Sequence, residues 1–179
     1  MEHLRKINME NIKLMNYKDL SFYIREGTND DFIVKENSYI FLNFNENDIW
    51  LDAGGNIGTF ACKFANKVKQ IISFEPDGEN SLLFEQNVKY NNIANNVLYK
   101  KALVHNDDKI IQFYLCTGKN KATHSVIKKR GRDIIEVQCE NINDIITKHN
   151  INKIKMDIEG AEYELIKNTN FEKIGRAHV

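Results

Sequence analysis

Short apolar runs alternate with polar turns along the chain, and this pattern predicts strands that alternate with helices. Three apolar runs predict strands of a sheet, at 49–51, 70–74 and 97–104, and a fourth strand is predicted at 152–157, where Ile154 and Met156 alternate with Lys153 and Lys155. Apolar residues at helical spacing predict helices between and beside them, at 59–68, 77–90 and 141–149. Strands that alternate with helices are typical of an α/β fold with a parallel sheet.

The flanking segments have weaker patterns. Residues 1–19 carry scattered apolar side chains at a spacing compatible with an amphipathic helix, and residues 20–43, which include the run Phe32–Val34, predict strands or a hairpin. Two runs of β-rich composition, 109–116 and 133–139, flank a polar stretch and are expected to pair as an inserted hairpin.

A glycine-rich turn joins the first predicted strand to its helix, in the stretch Asp-Ala-Gly-Gly-Asn-Ile-Gly at residues 52–58. Glycines let a backbone approach a ligand closely, and the free N–H groups of a helix start attract electron-rich groups. A dinucleotide fingerprint needs glycines at i, i+2 and i+5, but counting from Gly54 those last two positions hold Asn56 and Thr59. The turn therefore predicts a cofactor cradle that is not of the NAD type.

An acidic residue, Glu75, stands at the carboxyl end of the second predicted strand, seventeen residues after Gly58. A carboxylate in this place can accept hydrogen bonds from both hydroxyls of a ribose. Pro76 follows it and ends the strand, because proline fixes φ. On its own Glu75 would be interpreted as a surface carboxylate, but its register with the glycine turn favours a ribose contact.

The pattern Asp-x-Gly-x-Asn-x-Gly from Asp52, together with Glu75, resembles the first two motifs of Rossmann-like S-adenosylmethionine-dependent methyltransferases. The later stretch Lys-Met-Asp-Ile-Glu-Gly-Ala-Glu at 155–162 matches the hallmark of one of their families, FkbM. The resemblance extends from about Arg25 to Lys167.

This resemblance implies a class I methyltransferase sheet with core strand order 3-2-1-4, with an N-terminal β extension. The implied cofactor is S-adenosylmethionine, and the residues expected to bind it are Asp52, Gly54, Asn56, Gly58, Glu75 and Pro76. Residues 100–103 would close over the adenine. The expected reaction is O-methylation of a sugar or a related small-molecule hydroxyl. A protein that binds the nucleotide without transferring a methyl group is the alternative.

Two carboxylates at the end of the fourth predicted strand, Asp157 and Glu159, are the candidate catalytic residues. An alcohol loses its proton as its oxygen is methylated, and a carboxylate within about 3 Å could accept that proton. The alternative is that Asp157 caps the following helix, with Glu159 and Glu162 near its positive end. Two oxygens do not define a cation site, and no metal is assigned.

Charge and composition limit the partners. The chain has 25 basic and 25 acidic residues, so no net positive field would draw it to nucleic acid or an anionic membrane. The three cysteines lie far apart without metal-ligand spacing, which indicates reduced thiols and a cytoplasmic protein. No apolar run approaches the length of a membrane-spanning helix, and no membrane partner is expected.

Two polar segments leave alternatives open. Residues 117–132 hold the basic cluster of the chain, which is either a lid over the acceptor or a solvated loop. His124 in this loop has no acidic partner at readable spacing, and a surface position is favoured. Arg25 and Asp30 or Asp31 either lie near the cofactor pocket, as the resemblance implies, or form a charge pair on a solvated turn.

The expected organisation is an N-terminal extension over 1–47, a partial methyltransferase domain over 48–173 and a tail over 174–179. The ending resembles the translation of a sequencing adapter, and the tail is interpreted as an artefact of that kind. A full sheet of this class has about seven strands, so strands five to seven are expected to be missing. The fourth strand would then be an unpaired edge, and the chain marginally stable or inactive.

Overall fold

The computed structural model describes residues 11–116, 124–125, 133–158, 160–174 and 176–178. Its strands are β1 (Ile12–Tyr17), β2 (Leu20–Arg25), β3 (Ile49–Ala53), β4 (Gln70–Phe74), β5 (Asn96–Tyr99), β6 (Ala102–Val104), β7 (Ile110–Leu115), β8 (Asp133–Asn141), β9 (Lys153–Met156) and β10 (Arg176–His178). Its α-helices are α1 (Asp30–Lys35), α2 (Thr59–Phe64), α3 (Gly78–Tyr90), α4 (Ile142–His149) and α5 (Glu162–Asn168). One-turn 3₁₀ helices follow α2 and α5, at Ala65–Lys67 and Phe171–Lys173.

The main sheet within these residues has five parallel strands in the order β10-β9-β3-β4-β5. With β3, β4, β5 and β9 taken as strands one to four, this is the predicted order 3-2-1-4. The α/β class and the Rossmann-like core are therefore confirmed. Because all these strands are parallel, their carboxyl ends meet along one edge, and ligands of open α/β sheets bind at that edge.

Alternate residues of the strands face the two helical layers. Leu51, Ile72 and Ile154 belong to one buried cluster, which includes Ile142 and Ile145 of α4. Trp50 and Ile71 belong to a second cluster with Phe60 and Phe64 of α2. This period of two, with both faces buried, explains why the strands read as continuous apolar runs.

Capping residues fix the starts of the two longest helices. The Asp77 side chain accepts a hydrogen bond from the Asn80 backbone N–H at the start of α3, and the Asn141 side chain accepts one from Asn143 at the start of α4. Such caps satisfy N–H groups that have no partner within the helix. Both helices lie where the sequence predicts them.

The N-terminal segment differs from the prediction. Ile12–Tyr17 is a strand, antiparallel to β2, and not part of an amphipathic helix. Phe22 and Ile24 of β2 pack with Leu83 of α3, so the hairpin satisfies its apolar face by docking on that helix. The predicted strand over Phe32–Val34 is also wrong, because these residues lie in α1. Residues 1–10 lie outside the described part of the chain.

The predicted third strand, 97–104, is divided into β5 and β6, which belong to different sheets. β6 pairs in parallel with β8, which also pairs antiparallel with β7. The β7–β8 pair is the predicted inserted hairpin, and it is confirmed. Most of the loop between its strands, with the basic cluster, lies outside the described residues.

The edge of the fourth predicted strand is occupied in the structure. β10 pairs in parallel with β9, with Arg176 opposite Lys153. The expectation of an unpaired edge at β9 was therefore wrong. The division into an extension, a domain and a tail stays a prediction. None of the helices that the structure describes combines the length and apolar character needed to cross a bilayer.

Candidate active site

A cavity of about 300 Å³ opens at the carboxyl ends of β3, β4 and β9. Gly54 and Asn56 after β3, Glu75 and Pro76 after β4, and Asp157 after β9 all line it. These residues are distant in sequence, and the parallel sheet brings them to one edge. Such a concave site with a few convergent polar groups is the usual form of a small-molecule site.

Glu75 is buried and held by two backbone donors. The Asn56 N–H donates to Oε2 at 2.8 Å, and the Asp77 N–H donates to Oε1 at 2.9 Å. Burial raises the pKa of Glu75 to about 7, and the nearby Asp77 carboxylate adds to the rise while the two N–H groups oppose it. The Asn80 side chain is a third donor to this carboxylate, and of its roughly four acceptor sites at least one is left for a hydroxyl hydrogen of a ligand.

The glycine turn is shaped by close contacts within the protein. Gly54 has a φ of +83°, and a Cβ at this position would lie 1.9 Å from the Asp157 backbone oxygen. Asn56 has a φ of +50°, and its Oδ1 is buried without a hydrogen-bond partner among the described residues. A buried polar atom without a partner costs free energy unless a ligand satisfies it. Asn56 and Glu75 together therefore fit a nucleoside-bearing cofactor.

A buried ion pair stands behind this turn. Lys155 Nζ lies 2.9 Å from Asp52 Oδ1, and it donates to the Gly54 carbonyl at 2.7 Å. Asp52 Oδ2 accepts from Ser73 Oγ at 3.1 Å. Burial disfavours the ammonium, but Asp52, Tyr39 and Asp157 together outweigh this and hold the pKa of Lys155 above its ordinary value. Lys155 thus ties the glycine turn to the sheet.

Asp157 is exposed, and its Oδ2 accepts a hydrogen bond from Tyr39 Oη at 3.4 Å. Burial raises the pKa of Tyr39 to about 12, with Lys155 opposing the rise, so this phenol keeps its proton and donates. Asp157 is not the helix cap of the alternative interpretation, because α5 begins later, at Glu162. Glu162 itself accepts from the backbone N–H groups of Ile158 and Gly160, a structural role.

The cavity is also lined by residues of the sheet β6-β8-β7 and its surroundings. They include Leu103 of β6, Phe113 of β7, Lys101 and His124. His124 is 7% exposed, so the favoured surface position was wrong. Its Nδ1 accepts from the Cys116 N–H at 2.9 Å, and its Nε2 lies 4.0 Å from Asp77 Oδ1. Its sequence neighbours carry no signal for this placement, which depends on the antiparallel bridge between Ser125 and Tyr114 of β7.

Arg25 and Asp30 form a buried ion pair and not a charge pair on a solvated turn. Arg25 Nε lies 2.9 Å from Asp30 Oδ2, and the exposed fractions of the two residues are 7% and 0%. Arg25 also donates to Asn80 Oδ1 at 2.7 Å. Because Asn80 lines the cavity, the pair supports the wall of the site without forming part of its lining.

The predicted site residues therefore divide into two groups. Gly54, Asn56, Glu75, Pro76 and Asp157 line the cavity. Asp52 and Gly58 lie behind it: Asp52 is fully buried, and Gly58 is the residue before α2, against the Phe84 ring. Glu159 lies outside the described residues.

Sequence reasoning missed the wall formed by the N-terminal segment and α2. Its lining side chains include Phe32, Glu36, Tyr39, Phe60 and Lys63. No motif marks these positions, because their place depends on tertiary packing. Among the described residues, no group of three or more His, Cys, Asp or Glu side chains is arranged to hold a metal ion.

Known proteins resemble this chain in the same region. Residues 52–178 match the family model described as the methyltransferase FkbM domain. A protein named Methyltransferase sdnD, from Sordaria araneosa, is 24% identical over 198 residues, which cover 89% of this chain and 76% of the relative. An uncharacterized RNA methyltransferase, NEQ053 from Nanoarchaeum equitans, is 34% identical over 127 residues, covering 69% of this chain and 27% of that protein.

Among solved structures, M. jannaschii TYW2 in complex with AdoMet is 18% identical, with a TM-score of 0.39. The overlap covers 49% of this chain and 42% of that one. The family model, by contrast, covers both motifs and most of the sheet described above. The chain belongs to the FkbM family of S-adenosylmethionine-dependent methyltransferases.

Proposed function

We propose that this protein transfers the methyl group of S-adenosylmethionine to a hydroxyl oxygen of a small molecule such as a sugar. The observation that carries the proposal is that Glu75, Asn56 and Asp157 line one cavity at the carboxyl ends of adjacent strands. A candidate ribose acceptor and a candidate base therefore face the same space.

Cofactor binding is assigned to two kinds of residue. Glu75 would accept hydrogen bonds from the ribose hydroxyls, and Asn56 Oδ1 would accept from a further donor of the cofactor. Gly54 would let the backbone lie close to the ligand, and the ring of Pro76 would contact the ligand beside Glu75. Asp52 and Gly58 act indirectly, because they hold the turn in shape. When bound, S-adenosylmethionine would supply an electrophilic methyl group on its sulfonium sulfur.

Asp157 is the proposed base. Tyr39 donates to its Oδ2, which leaves Oδ1 to accept the proton of the acceptor hydroxyl as its oxygen is methylated. The rest of the rate comes from alignment, since holding two reactants in an attack geometry removes most of the entropic barrier. Glu159, the second candidate catalytic residue, is retained as a proposal.

The acceptor is proposed to be a small molecule or glycan and not a nucleic acid. The printed name of one relative, an RNA methyltransferase, points the other way, but only 27% of that protein is matched. The chain has equal numbers of basic and acidic residues, so it has no net positive field to draw it to a nucleic-acid backbone, and its basic cluster is limited to residues 117–132. The buried thiols of Cys62 and Cys139 suit a reducing compartment, and a cytoplasmic location is proposed.

Transfer of tritiated methyl groups from S-adenosylmethionine tests this function. Extracts of small hydroxylated compounds, glycans and RNA would be offered separately to the wild type and to Asp157→Asn. We expect label in the small-molecule or glycan fraction, and its loss in the variant with unchanged binding of S-adenosylhomocysteine. Label in RNA alone would contradict the proposed acceptor, and binding without transfer to any fraction would favour a non-enzymatic binding protein.

A further inference from the structure

One wall of the cavity is formed by aromatic side chains that the cofactor motifs do not include. The wall includes Phe32 of α1, Phe60 of α2, and Tyr39, which lies between the two helices in sequence. The Tyr39 and Phe60 rings meet edge to face with centroids 5.5 Å apart. Phe32 is 65% exposed although it borders a cavity. Aromatic faces at such a rim are placed to pack against a ring that enters from solvent.

Two of these rings, Tyr39 and Phe60, lie at the end of the cavity that holds the candidate base. Tyr39 touches the Asp157 carboxylate at 3.4 Å, and the Lys155 ammonium lies 5.9 Å from the Tyr39 ring centroid. Glu75 and Pro76, by contrast, follow β4. In the sheet, β3 lies between β4 and β9, the strand that Asp157 follows. A cofactor whose ribose lies at Glu75 would therefore leave the aromatic end for the second substrate.

The charges at this end favour an uncharged ligand. The carboxylates of Glu36 and Asp157 both line it. Lys155 is paired with Asp52, and the Lys63 ammonium, which donates to the Glu36 backbone oxygen at 2.7 Å, balances one of the two carboxylates. Carboxylates accept hydrogen bonds from hydroxyl groups and repel phosphates.

We propose that Phe32, Tyr39, Phe60 and Asp157 form the acceptor subsite, and that this subsite takes an uncharged hydroxylated ring with an apolar face. A phenol and a cyclic alcohol such as a sugar share this chemistry. The ring packs on Phe32 and Tyr39, and its hydroxyls face Asp157. The assignment rests on the proposed methyl transfer, and it adds the substrate class and the residues that select it.

Saturation-transfer difference NMR tests the subsite without requiring turnover. The probes are catechol, methyl β-glucopyranoside and glucose 6-phosphate, each offered to protein saturated with S-adenosylhomocysteine. Calorimetry with S-adenosylhomocysteine alone gives the cofactor affinity. The variants are Phe32→Ala and the matched control Phe41→Ala. Phe41 is 75% exposed, lies in the same N-terminal segment and is not among the residues that line the cavity.

We expect catechol or methyl β-glucopyranoside to bind, and the better of the two to identify the type of ring. Phe32→Ala should weaken that binding by about fivefold or more, because one aromatic contact is lost. The affinity for S-adenosylhomocysteine should stay within about twofold, and Phe41→Ala should change neither value.

Three results would overturn the subsite: preferred binding of glucose 6-phosphate, no binding of either uncharged probe, or equal effects of the two phenylalanine variants. A loss of S-adenosylhomocysteine affinity in Phe32→Ala that matches the loss for the probe would place Phe32 on the cofactor instead. Failure of the wild type to bind S-adenosylhomocysteine is a separate outcome, since it would remove the proposed function together with the subsite.

Discussion

Lys155 and Asp52 are direct cross-strand neighbours on β9 and β3, and Lys155 Nζ lies 2.9 Å from Asp52 Oδ1. The first residue of the FkbM hallmark at 155–162 thus forms an ion pair with the first residue of the glycine pattern at 52–58. Because Lys155 also donates to the Gly54 carbonyl, the pair fixes the turn that lines the cavity. The two sequence hallmarks of the family form one structural unit in this protein.

Lys155→Met should lower the free energy of unfolding by about 3 to 5 kcal/mol, because it leaves the Asp52 carboxylate buried without its partner. Urea denaturation followed by circular dichroism measures this. Lys153→Met, on the same strand and partly exposed, is the control and should change stability by less than about 1 kcal/mol. The double variant Asp52→Asn/Lys155→Met should recover part of the loss. Equal stability of Lys155→Met and Lys153→Met would show that the ion pair of Lys155 with Asp52 does not stabilise the fold.

Gly54→Ala should be far more damaging than Gly27→Ala. Both glycines have a positive φ, +83° and +71°, so both substitutions strain the backbone by about 1 to 2 kcal/mol. Only at Gly54 would the new Cβ also meet a backbone oxygen, that of Asp157, at 1.9 Å. We expect Gly54→Ala to unfold at lower temperature than Gly27→Ala and to lose S-adenosylhomocysteine binding. Equal melting temperatures would contradict the close packing of the turn on β9.

The pKa of Glu75 makes stability depend on pH in a defined direction. Its folded value of about 7 lies above the ordinary value of 4.5. Below pH 4.5 the carboxyl group is protonated in both the folded and the unfolded protein, so its ionisation does not lower the free energy of unfolding. As the pH rises towards 7 the unfolded state is favoured, because its Glu75 ionises more easily. Above pH 7 the full cost is present, up to about 3 kcal/mol.

Glu75→Gln removes the ionisation but keeps only one acceptor oxygen, so one of the two backbone N–H donors loses its partner, a loss of about 1 to 3 kcal/mol at every pH. The stability of the variant relative to the wild type should therefore rise between pH 4.5 and 7 and then level off. Chemical denaturation across this range measures the difference. A difference that does not change with pH would contradict the raised pKa of Glu75.

Tyr39→Phe should separate catalysis from cofactor binding. The substitution keeps the ring against Phe60 but removes the hydroxyl that donates to Asp157. We expect kcat for methyl transfer to fall by about tenfold, since Asp157 loses its orientation, while the affinity for S-adenosylhomocysteine stays unchanged. Titration calorimetry and a steady-state methyl-transfer assay give the two values. An unchanged kcat would show that the Tyr39 hydroxyl does not orient Asp157 for catalysis.

The sheet could be predicted from sequence because β3 and β4 are short, largely apolar strands, each followed by a distinctive residue or turn. The glycine turn after β3 and Glu75 after β4 mark the ends of the strands, and both lie at the cavity. By contrast, Phe32–Val34 has three apolar residues in a row, a pattern that fits a strand or a buried helix turn equally well. The split between β5 and β6 depends on sheet pairing, which local periodicity does not encode.

Only the site residues that belong to sequence motifs could be predicted. The contact of Tyr39 with Asp157 joins residues 118 positions apart, and nothing near Tyr39 marks it. Lys155 pairs with Asp52 on the neighbouring strand, a residue far from it in the sequence. Strand order made that pairing possible, but the register that brings the two side chains together is a tertiary property.

Calorimetric titration of S-adenosylhomocysteine into the wild type, Glu75→Ala and Glu85→Ala tests the central claim most directly. Glu85 is a matched control, a carboxylate on α3 that pairs with Lys100 at the surface. We predict that the wild type binds and that Glu75→Ala binds at least about tenfold more weakly, because hydrogen bonding from the ribose to the carboxylate is lost, whereas Glu85→Ala is unchanged. Equal affinity of all three proteins would contradict the assignment of this cavity to the cofactor.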